Sequence, residues 1–216
     1  MYNQLFYTLP VFIDQWMDTS VMYNFLYKIS PALAQAIGNE HGTISPEMLS
    51  NIDALYIVIF QIAVSAFVMR FKPLNAMVVG IFVSAIGIGL TFATNNPFYL
   101  IVTVLVFGLG EMASSPKITE YIGKIAPKDK VALYMGCSFL PMAGGNFFAG
   151  ILSGSVYGNM SDKLTLLQRD LQQRSLKFPE ISDQFTQNDL FQMAAQKLQM
   201  NQAELTNYLW QTYHPQ

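Results

Sequence analysis

Residues 98–116 read FYLIVTVLVFGLGEMASSP, with Glu111 as their single charge. An ionisable group behind so long an apolar run is expensive in hydrocarbon and normally faces a helix-bundle interior or a water-filled path. The surroundings extend the pattern. Residues 54–69, 74–116 and 131–157 carry that one charge among them, and the chain as a whole is 52% apolar and 12% charged. A soluble domain is roughly one quarter charged, and its helices carry a polar face throughout. These proportions exclude a disordered chain, a disulfide scaffold and an ordinary water-soluble enzyme, and they indicate a membrane protein.

Five spans are expected, at about residues 5–27, 51–69, 74–94, 98–120 and 131–157. Each has close to the 20 residues that a helix needs to cross the hydrocarbon layer, and helices satisfy their own backbone groups in lipid. The fold expected is all-α: a polytopic membrane helix bundle followed by a short water-exposed helical tail at 158–216. Arg70 and Lys72 follow the second span, and Lys124, Lys128 and Lys130 follow the fourth, whereas residues 30–50 and 95–97 have no basic residue. The positive-inside bias therefore puts 70–73 and 121–130 in the cytoplasm and 28–50, 95–97 and 158–216 outside. The cell (inner or plasma) membrane is the expected location.

In the tail, Thr186-Gln187-Asn188-Asp189 and Asn201-Gln202-Ala203-Glu204 read as capping boxes that open two helices. Leu164, Leu167 and Leu171 recur at helical spacing, and Tyr208, Trp210 and Tyr213 suit a membrane interface. Two small-residue ridges, Ala76-Gly80-Ser84 and Gly150-Gly154-Gly158, are expected to let helix backbones approach closely. The lone Cys137 reads as a small packing residue.

The polar groups suggest where chemistry could occur. Ser114 and Ser115 lie three and four residues beyond Glu111 and share its helix face; the bland alternative for Glu111 is a structural ion pair or a wet boundary position. Asp14 and Asp18, with Gln15 beside them, would stand one turn apart. Carboxylates that close resist double ionisation, which suits proton coupling or gating. The competing reading makes residues 1–27 an interfacial helix with both acids in water. Asn51 lies at the outer mouth of the second span, in reach of a cavity, and Asp53 reads as a solvated helix-start acid. Gln61 serves as helix-to-helix glue or as a substrate contact, and Lys117 and Glu120 pair or reach the cytoplasmic surface. No hydrolase, phosphate-loop or metal-ligand spacing is present, so neither an enzyme nor a metal site is expected, and the charge balance offers nothing to nucleic acid.

One region carries a family resemblance. Gly110-Glu111-Met112-Ala113-Ser114-Ser115-Pro116, the turn Lys124-Ile125-Ala126-Pro127, Tyr134-Met135-Gly136-Cys137-Ser138-Phe139-Leu140 and Gly145-Asn146-Phe147-Phe148-Ala149-Gly150 together resemble the proton-dependent oligopeptide transporters (the POT/PTR family) of the major facilitator superfamily. The order and spacing match the family's tenth and eleventh helices over about 40 residues. Phe12-Ile13-Asp14-Gln15 and Leu49-Ser50-Asn51 resemble its seventh and eighth helices more weakly: Asp14 stands for Glu, Asp18 for Gly and Ile52 for Pro. The resemblance implies the carboxyl-terminal half of a twelve-helix carrier, ending before the last helix. Its function would be proton-coupled uptake of di- or tripeptides by alternating access, powered by the proton gradient without a cofactor. Glu111 would bind the peptide amino group or close a cytoplasmic gate, Asn51 would contact substrate, and Asp14 would pair with a basic residue of the missing six-helix half. The partners implied are the lipid bilayer, that half and a small peptide. Three other functions remain open: a membrane-embedded interaction or assembly subunit, an intramembrane enzyme using Glu111, and a major-facilitator carrier of another small solute.

Overall fold

A computed structural model describes residues 7–176, 179, 181 and 185–214. Among them the chain is helical, with no strand and with an isolated bridge between Gly38 and Ile44. It divides into two units, residues 1–150 and 151–216.

The first unit is built on a helical hairpin. Helices α1 (Leu9–Trp16), α2 (Ser20–Ile29), α3 (Pro31–Ile37) and α4 (Pro46–Ser50) precede α5 (Ile52–Val68), α6 (Pro73–Thr91) and α7 (Pro97–Ile125). Proline opens both α6 and α7, where its missing N–H is not needed. Asn96 caps α7 by accepting from the Phe98 N–H at 2.9 Å. The helix passes Pro116 without ending.

Helices α6 and α7 pack backbone to backbone. A Cβ added at Gly80 would stand 2.7 Å from Gly110 O, and one at Gly110 would stand 2.5 Å from Gly80 O. Ala76, Gly80, Ser84, Gly87 and Thr91 are the buried residues of α6, so the first expected small-residue ridge is the helix contact. Two hydroxyls stitch it: Ser84 Oγ donates to Phe107 O at 3.1 Å, and Thr91 Oγ1 donates to Thr103 Oγ1 at 2.9 Å. Helix α5 lies against α7, where Tyr56 Oη donates to Ile101 O at 3.0 Å. Its other faces are bare, with Ile62 83% exposed. Such surface is unsuited to water and suited to lipid or further helices.

The expected first span is broken in two. Met17 is extended (φ -104, ψ 131), and Asp18 accepts from both the backbone N–H and the hydroxyl of Ser20, a local turn that competes with the helix. Phe12 meets Phe92 edge-on at 5.1 Å and Phe25 meets Phe98 at 5.5 Å. Both halves of the segment therefore reach the same end of the α6–α7 hairpin, and α1 and α2 cap it where a straight crossing was expected. Residues 5 and 6 of that expected span lie outside the described residues. Four helical runs are long and apolar enough to cross a membrane: Pro46–Val68, Pro73–Thr91, Pro97–Ile125 and Val131–Gln173.

Helices α8 (Val131–Cys137) and α9 (Phe139–Ile151) end the first unit, with Ala149 their single buried residue. A Cβ at Gly150 would meet nothing within 4 Å, so the second expected ridge does not start at a helix contact. Cys137 is exposed, not packed.

The second unit opens on a π-helical stretch, Leu152–Tyr157, and a short turn, Gly158–Met160. Three helices follow: α10 (Lys163–Gln173), α11 (Gln187–Leu198) and α12 (Gln202–Tyr213). Both expected capping boxes form, Thr186 with Asp189 and Asn201 with Glu204. Leu166, Leu167, Leu171, Leu190, Leu205 and Leu209 make the core. Asp170, 4% exposed, is paired to Arg174 at 2.9 Å and accepts from Tyr208 Oη at 3.1 Å. Trp210 is buried and stacks on His214 at 4.4 Å. Tyr208 and Trp210 thus hold this unit together. Burial pushes the Tyr213 phenol up and holds the His214 imidazole below its ordinary value.

Candidate functional site

Glu111 is the central residue of α7, fourteen positions from each end. At 1.5 Å per residue it sits about 21 Å along the helix from either end. It is half-buried and keeps Oε2 without a hydrogen-bond partner among the described residues.

Its neighbour across the α5–α7 contact is another acid. Asp53 is 2% exposed, and its side chain lies on α7 at Gly108, one helical turn before Glu111. The expectation of a solvated helix-start residue is therefore overturned, because α7 covers the first turn of α5. Gly108 makes the room: a Cβ there would stand 2.5 Å from Asp53 Oδ1. That oxygen is also unpaired. The clue available in the sequence was the missing side chain at Gly108, one helical turn before Glu111, but nothing local linked it to Asp53.

The other expected site residues are dispersed. Ser114 is buried and turned toward α6, where a Cβ on Gly80 would meet its backbone N at 2.9 Å; its hydroxyl donates to Glu111 O at 3.3 Å. Ser115 is exposed, so the three-residue polar face does not act as one surface. Asn51 is exposed at the α5 N-terminus and its side chain does not cap the helix. Asp14 and Asp18 are both exposed and Gln15 is half-buried. Because the helix ends at Trp16, the two acids do not share a helix face. Gln61 donates to Ser65 Oγ at 2.8 Å within its own helix, so it does not glue two helices.

Two further features frame the site. Lys117, 6% exposed, pairs with Glu120 at 2.6 Å, and Glu120 also binds Lys124. Between α5, α6 and α7 lies a cleft of about 530 Å³, lined by Ala63, Phe67, Asn75, Gly80, Leu109 and Ala113. It presents no charged side chain and suits hydrocarbon, not a polar solute. Among the described residues no group of three or more metal-ligating side chains occurs.

A family model described as Major Facilitator Superfamily matches residues 8–163. No curated protein and no solved structure matches the chain.

Proposed function

The chain belongs to the major facilitator superfamily of membrane transporters, and on that premise we propose that it is the carboxyl-terminal half of a proton-driven carrier of di- and tripeptides. The observation that carries this reading is Glu111: a half-buried acid at the middle of α7 whose buried Oε2 has no hydrogen-bond partner among the described residues. A carboxylate at that depth attracts a peptide's ammonium group or a proton, the two species such a carrier must handle. Ser114, packed on α6, and the exposed Ser115 follow it on α7, and Asn51 borders the opening of α5. Asp14, Gln15 and Asp18 lie in the cap over the hairpin end, in reach of a gate formed with another half.

Alternating access supplies the mechanism, with two halves rocking about a site near the midplane. The spans here provide one wall of such a site. Facing α7, a second half would close the path and supply the cation that pairs with an acid of this one. The proton gradient is the energy source, and no organic cofactor takes part. The charge bias of the loops puts 70–73 and 121–130 in the cytoplasm and 158–216 outside.

The test is uptake of a labelled dipeptide into proteoliposomes holding both halves, with an inward proton gradient. Glu111→Gln is expected to abolish gradient-driven uptake while leaving expression and membrane insertion intact. Unchanged uptake in that variant, or uptake by residues 1–216 alone, would refute the proposal.

A further inference from the structure

We propose that Asp53 and Glu111 form a single proton site shared between α5 and α7, with Asp53 the second coupling acid. The inference rests on the reading of Glu111 given above and adds a residue that neither the motif nor the family match singles out.

Three observations carry it. Asp53 Oδ1 packs on α7 at Gly108, one helical turn before Glu111, so the two acids are neighbours across the α5–α7 contact. Two neighbouring carboxylates in a poorly hydrated place resist double ionisation, which favours one proton between them. Asp53 is 2% exposed, and its Oδ1, like Glu111 Oε2, has no hydrogen-bond partner among the described residues. Finally, Gly108 holds the space that Asp53 occupies, since a Cβ would lie 2.5 Å from its Oδ1.

The surrounding charges leave the pair to itself. Helix α7 also presents Lys117, but that ammonium is closed on Glu120, which binds Lys124 as well. On α5 the Tyr56 hydroxyl is committed to Ile101 O, and on α4 Glu47 is exposed. Two ionised carboxylates side by side in a poorly hydrated place is the state that paired acids avoid. Moving α5 away from α7 would part the acids and free the shared proton to water, with each oxygen regaining solvent. Rearrangement of the two helices and loss of one proton are then the same event.

Infrared titration of the whole 216-residue chain in nanodiscs, reading the carbonyl band of protonated carboxyl groups, tests this. Spectra of the double variant Asp53→Asn/Glu111→Gln supply the background from all other acids. The wild type is expected to lose the paired protons in two separated steps, as coupled acids do. Asp53→Asn and Glu111→Gln should each collapse these to one, and Gly108→Ala, which keeps both acids, should bring the two steps together. Two separated steps persisting in either single variant would overturn the proposal. If Asp53→Asn does not insert, Glu111→Gln and Gly108→Ala decide alone. The readout is independent of substrate, so a wrong peptide assignment leaves the expected titration intact, whereas a wrong proton site leaves peptide uptake intact.

Discussion

Substituting Gly110→Ala should separate the two helices on which the site is built. The added Cβ would stand 2.5 Å from Gly80 O and Ser84 Oγ, and closer still to Ser84 N, against the 3.4 Å at which ordinary contact begins. Backbone cannot rotate away as a side-chain tip can, so α6 and α7 must part by roughly 1 Å, in an interior packed like a crystal. Overpacking of this kind costs about 1–3 kcal/mol. Parting the helices also weakens the Ser84–Phe107 and Thr91–Thr103 bonds, each worth about 0.6 kcal/mol in a bilayer. Alanine is a better helix former than glycine by about 1 kcal/mol, which offsets part of the loss. Gly150→Ala isolates that offset, because nothing lies within 4 Å of its added Cβ. Unfolding both variants in nanodiscs by a steric-trap assay should therefore show Gly110→Ala less stable than Gly150→Ala by about 2–4 kcal/mol. Equal stability of the two would refute the close-packed α6–α7 seam.

Three further outcomes follow from the same structure. Tyr56→Phe removes the hydroxyl that ties α5 to Ile101 O and should cost about 0.5–1.5 kcal/mol in the same assay, with no change in helix content. Trp210→Ala empties the buried centre of the tail and should destabilise it by about 3–5 kcal/mol, seen as loss of near-ultraviolet dichroism. Asp189 accepts from the Thr186 N–H and hydroxyl, which holds its carboxyl below the usual range. Its contribution to the α11 cap is present above the ordinary carboxylate value and lost as pH falls through the lower folded one. Protection factors for amide exchange at residues 187–190, corrected for the intrinsic rate, should fall on acidification, and Asp189→Ala should remove that pH dependence.

Hydropathy and charge made the bundle legible because a lipid-facing helix must be apolar along its whole length. The expected spans at 51–69, 74–94 and 98–120 meet helices Ile52–Val68, Pro73–Thr91 and Pro97–Ile125. Both capping boxes were equally legible, since a cap is a contact between residues three apart. What failed depended on direction or distance. Length and apolar content could not show that Asp18 would turn its side chain onto Ser20 and end a helix, although Asp-Thr-Ser is a sequence capable of such a turn. Asp53 was misread because its burial comes from Gly108, far along the chain, and no period within α5 records that neighbour. Glu111 was found because its cost in lipid marks it without any knowledge of its partner.

The central claim, that Glu111 lines a water-accessible route, can be tested directly by thiol labelling. With Cys137→Ser as background, Glu111→Cys and Ile62→Cys would each be treated in the membrane with a charged, membrane-impermeant methanethiosulfonate. Reaction at position 111 with none at the lipid-facing position 62 is the result expected; two equally inert positions would mean that the acid faces hydrocarbon and that no path runs beside α7.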